Sequence, residues 1–524
     1  MAAPSYSWNL SPGHRVLKLP ELARLICSSL DRGIYIHLLH VSRDVYASIL
    51  PMVWEVTLLK SVLFLIPGVE TSNYVIFPPV VDLTRLNAHA QFVKTLNATT
   101  SELYCLTKWP EAIPKSMLPN LRRLVLNSLH RYGANWISRL LNPNLRSFEM
   151  AAGDGTEDPE REIGEYPWLN LEVYTELLNQ LSRSCPLLEV LQVFPVFGQE
   201  EELCDEAYMA LGKMAHLQSV TLIVSWIPEN LLRALGQLPH LKNLSLWTSG
   251  ITRSVEDPLE IPDNSFLSLQ RLSLVGIGEL TIKHTCAVPS LFRNLTQADL
   301  IFNMHSETYL GSFERSTVAV KSLGQNTPYL EDLAIRPRGS HGGLVICSPV
   351  VDAFKLMHLR RLRLGYIAFS LDGGGDGIAQ GNSPEDRWTT FLAALPFLEE
   401  LHLEEQSITP EHLAWFAALL FRLSLLEIRG VDLGKAPKTS PNSAKATQRI
   451  TVRAWSCFVT WESHRENTYM PDEPSISTAA RYLCDIWPNV TCESTDDQKH
   501  CRSNNESTFA RLNAAIMLLR PRVE

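Results

Sequence analysis

The chain has 524 residues, with 47 Lys and Arg against 56 Asp and Glu, and a formal net charge of −9 at pH 7. That balance argues against the basic surface that nucleic-acid binding requires, so no nucleic-acid partner is expected. The longest unbroken apolar run, Val62 to Ile66, is far too short to span a bilayer, so no membrane partner is expected either. The start of the chain lacks a charged-then-apolar leader profile. Its ten Cys are scattered without pairing spacing, several in apolar contexts (Cys105, Cys185, Cys347), as free thiols in a reducing compartment would be. The N-x-S/T triplets at Asn97, Asn243, Asn294, Asn489 and Asn505 then count as coincidence. The expected setting is cytoplasmic, nuclear or both.

In chain order, residues 1–14 are small and polar and read as a disordered tail. Residues 15–57 change texture. Pro20 suits the first turn of a helix and Glu21 favours its positive end, while Leu22, Leu25, Ile26 and Leu30 recur at helical spacing. Asp31-Arg32-Gly33 predicts a turn, Ile34, Leu38 and Val41 a second helix, and Val45 with Ile49 a third that stops at Pro51. Three helices in about 40 residues bury little on their own, so such a unit leans on a partner or a neighbour. Residues 58–115 are punctuated by Pro67-Gly68 and Pro78-Pro79, with Ala88 to Leu96 reading as helix. They are placed to cap whatever follows.

From residue 116 to 434 one spelling returns: L-x-x-L-x-L, with apolar substitutions. It starts at Leu121, Leu145, Leu188, Leu217, Leu241, Leu269, Leu295, Leu330, Leu359, Leu398 and Leu423. The second and third apolar residues are two apart, so each match is a short strand with those two on one side. Starts are 24 residues apart from Leu121 to Leu145 and from Leu217 to Leu241, 29 from Leu330 to Leu359, and 43 at the widest, from Leu145 to Leu188. A Pro, aromatic or amide residue often precedes the first Leu, as in Leu238-Pro239-His240-Leu241, where a turn out of a helix is expected. This is the period of a leucine-rich repeat, one strand plus a returning arm. The fold class that follows is α/β, a right-handed solenoid with short parallel strands on its concave face and helices on its convex face.

Two insertions interrupt the array. Gly153 to Glu165 is acidic and solvated. Asp372 to Asp386 is glycine-rich but lacks the Lys-Ser/Thr of a phosphate loop and the spacing of a calcium loop. Residues 435–524 read as linker and C-terminal cap, with Trp455, Trp461, a helix from Ser477 to Ile486 and another from Phe509 to Leu519. Cys484, Cys492, His500 and Cys501 are the one group of metal-ligand types, but no C-x-x-C spacing supports zinc. No catalytic constellation, metal or cofactor is expected.

The run Leu19-Pro20-Glu21-Leu22, Ile26, Leu30, Leu38-Leu39-His40-Val41-Ser42-Arg43, Tyr46, Leu50 and Trp54 resembles an F-box. An F-box followed by degenerate leucine-rich repeats resembles the fungal type of F-box protein, the substrate-receptor family of SCF ubiquitin ligases. The family's Asp-Pro-x-Asp turn is here Asp31-Arg32-Gly33-Ile34, and the Cys often found after the Val is Ser42. The resemblance implies a substrate-recruiting subunit with no chemistry of its own. Its adaptor-binding face would be Leu19, Pro20, Leu22, Ile26, Leu30, Leu38, Val41 and Trp54, and its repeats would hold a protein substrate. The alternative is an intracellular repeat scaffold whose N-terminal helices only cap the array.

Within the repeats, the residue between the paired apolar positions faces outward. It traces a column: Val125, Glu149, Gln192, Thr221, Ser245, Ser273, Asp299, Ala334, Arg363, His402 and Glu427. A flanking column two residues on includes Phe194, Trp247 and Arg336. Exposed aromatics and Arg are the residue types that dominate interfaces, so the substrate-contact candidates are Phe194, Trp247, Arg336, Arg361, Arg363 and His402.

Overall fold

The structure, a computed structural model, describes residues 16, 19–30, 32–40, 42–71, 75–98, 110–126, 137–150, 171–193, 204–224, 227–248, 259–303, 309–338, 344–365, 367–369, 384–432, 449–458, 473–494 and 502–519. The acidic insertion, Phe194, Val41, Trp461, His500, Cys501 and the glycine-rich stretch lie outside these residues. The chain divides into two units, Met1–Val224 with Gln237–Leu241, and Ser225–Gly236 with Lys242–Glu524.

Each unit is a ladder of parallel strands. In the first the order is Val56–Leu58, Thr95–Ala98, Arg123–Leu126, Ser147–Met150, Val190–Val193 and Ser219–Val224. In the second it is Asn243–Thr248, Arg271–Ile277, Gln297–Asn303, Asp332–Arg338, Arg361–Leu364, Glu400–Ile408, Leu425–Asp432, Arg449–Phe458 and Asn489–Ser494. All eleven sequence matches fall in these ladders, and their three apolar positions are buried, none more than 5% exposed. This is a leucine-rich-repeat array. The ladder also runs past the 116–434 stretch at both ends, taking in Val56–Leu58 and Thr95–Ala98 before it and two strands after it.

One backbone device repeats from strand to strand. The carbonyl of the residue after the first Leu accepts two N–H groups from the following repeat: Arg122 O takes Arg146 N and Ser147 N at 2.8 and 2.9 Å. Arg146 O takes Glu189 N and Val190 N, and Glu189 O takes Gln218 N and Ser219 N. In the second unit the same relay passes from Lys242 through Gln270, Thr296, Glu331, Arg360, Glu399 and Ser424 to Thr451. Polar side chains tie the turns in the same direction. Buried Asn142 donates through Nδ2 to Leu118 O and Leu121 O, both at 3.2 Å.

The helices cover the apolar side of the strands. In the second unit Phe354, Phe391, Trp388 and Phe416 form a chain of edge-on aromatic contacts at 5.6–6.1 Å across Ser348–Lys355, Pro384–Ala393 and Pro410–Leu419. Asn489–Ser494 is the last strand of this ladder among the described residues. There the amide of Asn513, on the helix Arg502–Leu519, accepts from Cys492 N at 3.0 Å and donates to Cys492 O, doing for one residue what a next strand would do.

Three sequence expectations change at the N-terminus. The third helix, Arg43–Glu55, passes through Pro51 instead of stopping there. An interior proline costs about 3 kcal/mol, but Val45 and Ile49 before it and Met52 and Val53 around it pack against Cys27, which holds the helix together across the break. Arg32 and Gly33 open the second helix, Arg32–Leu38, rather than forming the turn. Ala88 to Leu96 is not one helix: Thr84–Ala90 is helical, and Leu96 is buried in the strand Thr95–Ala98, where ladder pairing with Thr57 and Leu124 prevails over helix propensity.

Gly324 marks a close helix contact. A Cβ built there would lie 2.8 Å from the Ala353 carbonyl oxygen. In an open helix Gly→Ala stabilises by about 1 kcal/mol, but this contact is with backbone and cannot yield cheaply. Gly324→Ala is therefore expected to lower stability, by about 1–3 kcal/mol, in urea unfolding followed by circular dichroism.

Candidate functional site

The N-terminal helices bury small residues and display large ones. In Pro20–Ser28 the inward residues are Ala23 and Cys27, both buried, and Cys27 packs with Val45 and Ile49. Their small volume lets the third helix approach closely. Leu22, Leu25 and Ile26, at helical spacing on an adjacent face, are 38%, 69% and 37% exposed, and Leu19, Ile34 and Ile36 are exposed beside them in sequence. The Leu/Ile face of the helix is thus the displayed one.

The predicted adaptor-face residues separate accordingly. Leu19, Leu22 and Ile26 are exposed and Leu30 is half-buried. Pro20 opens the first helix. Leu38 packs on the Cys27, Val45 and Ile49 cluster. Trp54 lies with its ring centroid 5.0 Å from that of His89, on the Thr84–Ala90 helix. Leu25, which shares the helical spacing of Leu22 and Ile26, is exposed with them, as are Ile34 and Ile36, although none of the three is among the adaptor-face candidates.

Glu55 fastens this element to the first strands. Its carboxylate meets Arg24 at 2.6 Å and Lys94 at 3.1 Å, and its carbonyl accepts Lys94 N at 3.0 Å. Burial raises its pKa, but Lys94 and then Arg24 outweigh burial, so the carboxyl stays below its usual range.

The second surface is the outward strand face of the second unit. Ser245, Ser273, Asp299, Ala334, Arg363, His402, Glu427, Arg453 and Glu493 are direct ladder partners, one per strand. Trp247, Val275, Ile301 and Arg336 form the next row. Trp247 and Arg336 are three strand spacings apart, about 14 Å.

Most charges on this face are already paired. Arg336 meets Asp299 at 2.8 Å and Arg361 meets Asp332 at 3.1 Å. His402 Nδ1 donates to Glu427 at 3.0 Å, since a carboxylate only accepts. Arg453 lies 3.7 Å from the same oxygen and donates to Glu493 at 2.9 Å, completing a chain across four strands. His402 Nε2 is 3.6 Å from Glu400, too long for a hydrogen bond. Trp247 donates to Ser245 Oγ at 2.9 Å. Arg363 has no hydrogen bond or ion pair among the described residues. Four of the six predicted substrate contacts, Arg336, Arg361, Arg363 and His402, thus stand on three neighbouring strands, with Trp247 further along.

Among the described residues no three His, Cys, Asp or Glu are placed to hold a metal, and no helix is long and apolar enough to cross a membrane. Burial pushes the thiols of Cys185, Cys286 and Cys492 up to about 12, which keeps them protonated and unreactive. What these surfaces offer is contact area and charge.

No family model matches the sequence, and no curated protein matches it. Among solved structures the chain is similar to the leucine-rich repeat-containing protein LegL7 from Legionella pneumophila, at 14% identity over 59% of this chain and 95% of that one, with a TM-score of 0.33. It is similar to TLR13 in its complex with ssRNA13, at 15% identity over 74% and 56% of the two chains, TM-score 0.32. A Bacteroides fragilis protein follows at 13% identity over 57% and 71%, TM-score 0.28. Likenesses of this size carry no argument about function; the repeat architecture stands on its own ladder and its buried leucines.

Glu404 gives this face a pH signature. Burial raises its pKa, and the nearby Arg336, His402 and Arg363 reduce that rise without cancelling it. A raised folded-state carboxyl binds its proton more readily than the unfolded chain does, so its contribution to stability falls as pH rises from about 4.3, the unfolded value, through the folded one. Glu404→Gln is expected to match wild type near pH 4 and to be the more stable protein at pH 7, read as the shift in urea midpoint at each pH.

Proposed function

We propose that the chain is a non-catalytic recruiting subunit of an SCF-type ubiquitin ligase. The N-terminal helices dock on the adaptor, and the outward strand face of the repeats holds a protein substrate. The observation that carries this reading is the displayed Leu19, Leu22, Leu25 and Ile26 face. A helix that buries alanine and cysteine while exposing leucine and isoleucine has an apolar surface suited to a partner. The F-box resemblance of the same residues supplies the partner's identity. The strand face suits a polar, mixed-charge substrate surface, with Arg363 free to pair and Trp247 as an aromatic anchor.

A second reading, a repeat scaffold without ligase association, draws on Trp54 against His89 and on the Glu55 contacts to Arg24 and Lys94, since these tie the helices to the array as a cap would be tied. Adaptor binding separates the two. Co-expression with the SCF adaptor followed by size-exclusion chromatography is expected to give a one-to-one complex. Leu22→Ala with Ile26→Ala should abolish it while leaving the circular dichroism spectrum unchanged. A well-folded wild-type chain that elutes without adaptor contradicts the ligase reading.

A further inference from the structure

A cleft of about 610 Å³ opens on the second unit, away from the outward columns, where the turns enter the strands. It is built from residues on either side of the buried first Leu in successive repeats. Leu269, Leu295, Leu330 and Leu359 point inward, so their chain neighbours point out. The repeat at Leu295 carries short side chains there, Asn294 and Thr296. The preceding repeat contributes Leu267, Ser268 and Gln270, and the following ones Tyr329, Glu331 and His358. The short Ser268, Asn294 and Thr296 leave room beside the larger Tyr329, Glu331 and His358.

The short residues are tied back to the preceding repeat. Asn294 Nδ2 donates to Leu267 O at 2.9 Å, and Thr296 Oγ1 donates to Gln270 O at 3.2 Å. The Thr296 hydroxyl hydrogen and one of the two Asn294 amide hydrogens are thereby used, which leaves the oxygen lone pairs of both side chains open to a ligand. Glu331 adds a carboxylate with no ion pair among the described residues, because the cation of the next repeat, Arg360, lies beside Glu399, at 3.8 Å. Among the described residues no Lys or Arg lines the cleft; its basic group is His358, stacked on Phe397 with ring centroids 5.2 Å apart. Two apolar walls stand open to solvent, Leu267 at 62% and Tyr329 at 64% exposure.

We propose that this cleft binds a basic side chain, arginine or lysine, of a partner polypeptide. The aliphatic stem lies along Leu267 and the Tyr329 ring, and the cationic head reaches the Glu331 carboxylate and the Asn294 and Thr296 oxygens. Acceptors with no Lys or Arg among them, beside an exposed aromatic face, are the complement of a long cationic side chain. The net charge of −9 favours the approach of such a partner. The proposal is independent of the N-terminal docking surface.

The test is fluorescence anisotropy of the full chain with a fluorescein-labelled Gly-Arg-Gly-Arg-Gly peptide, its lysine version, and a version with neutral citrulline in place of arginine. The basic peptides are expected to bind and the citrulline peptide to bind at least tenfold more weakly. Glu331→Gln should weaken the arginine peptide about tenfold, and Tyr329→Ala about three- to fivefold. Both side chains are exposed, and unchanged circular dichroism will show that the variants fold. Glu411→Gln, on the helix Pro410–Leu419, is the control for diffuse attraction and should leave binding unchanged. Equal binding of the citrulline peptide, no change in Glu331→Gln and Tyr329→Ala, or an equal loss in the control overturns the proposal.

Discussion

The structure depends on one coupled constraint: a buried apolar triplet at each strand, and a carbonyl beside it that receives two N–H groups from the next strand. Burying a Leu side chain is worth about 1.5–3 kcal/mol, and the relay satisfies backbone groups that burial would otherwise leave without water. Each repeat thus needs only its neighbour. That is why intervals as different as 24 and 43 residues coexist in one array. The returning arm can lengthen freely as long as the next strand comes back into register. A ladder of this kind must also be closed, and the Asn513 amide on Cys492 is how the last described strand is finished.

Burying every triplet on one side fixes what the other surfaces can do. The outward strand positions become rows with one residue per repeat, so charges far apart in sequence stand side by side. The chain from His402 through Glu427 and Arg453 to Glu493 is the result. Each such pair is partly exposed and worth only about 0–1 kcal/mol, so these rows add little to the stability that the buried triplets supply. The N-terminal helices use apolar residues differently. Ala23 and Cys27 are the buried residues of the first helix, while its leucine and isoleucine are exposed.

Legibility in the sequence followed from how local the determining interaction was. The eleven triplets could be read because period-two alternation within a strand and a repeat between strands are both written in the chain. The column from Ser245 to Glu427 followed from the same arithmetic and stands in direct register. The strands Arg449–Phe458 and Asn489–Ser494 were missed because they follow other residue patterns: Ile450, Val452 and Ala454 alternate, but without the leucine spelling. Pro51 was misread because the contacts that carry its helix come from Cys27, some two dozen residues away. The exposed side of the first helix was open to misreading too, since leucine at helical spacing usually marks the buried face. The cleft beside Glu331 was not legible at all. It needs short side chains in two successive repeats beside larger ones in the next, and no single repeat shows it.

The central claim is that leucine has two opposite placements here, buried in the repeats and displayed outward on the first helix. Urea unfolding of Leu362→Ala and Leu25→Ala, followed by circular dichroism, tests it most directly. Leu362 is fully buried and Leu25 is 69% exposed. The expected loss is about 2–5 kcal/mol for Leu362→Ala and no more than about 0.5 kcal/mol for Leu25→Ala. Comparable losses in the two variants would mean that the first helix is packed inward, and would contradict the account.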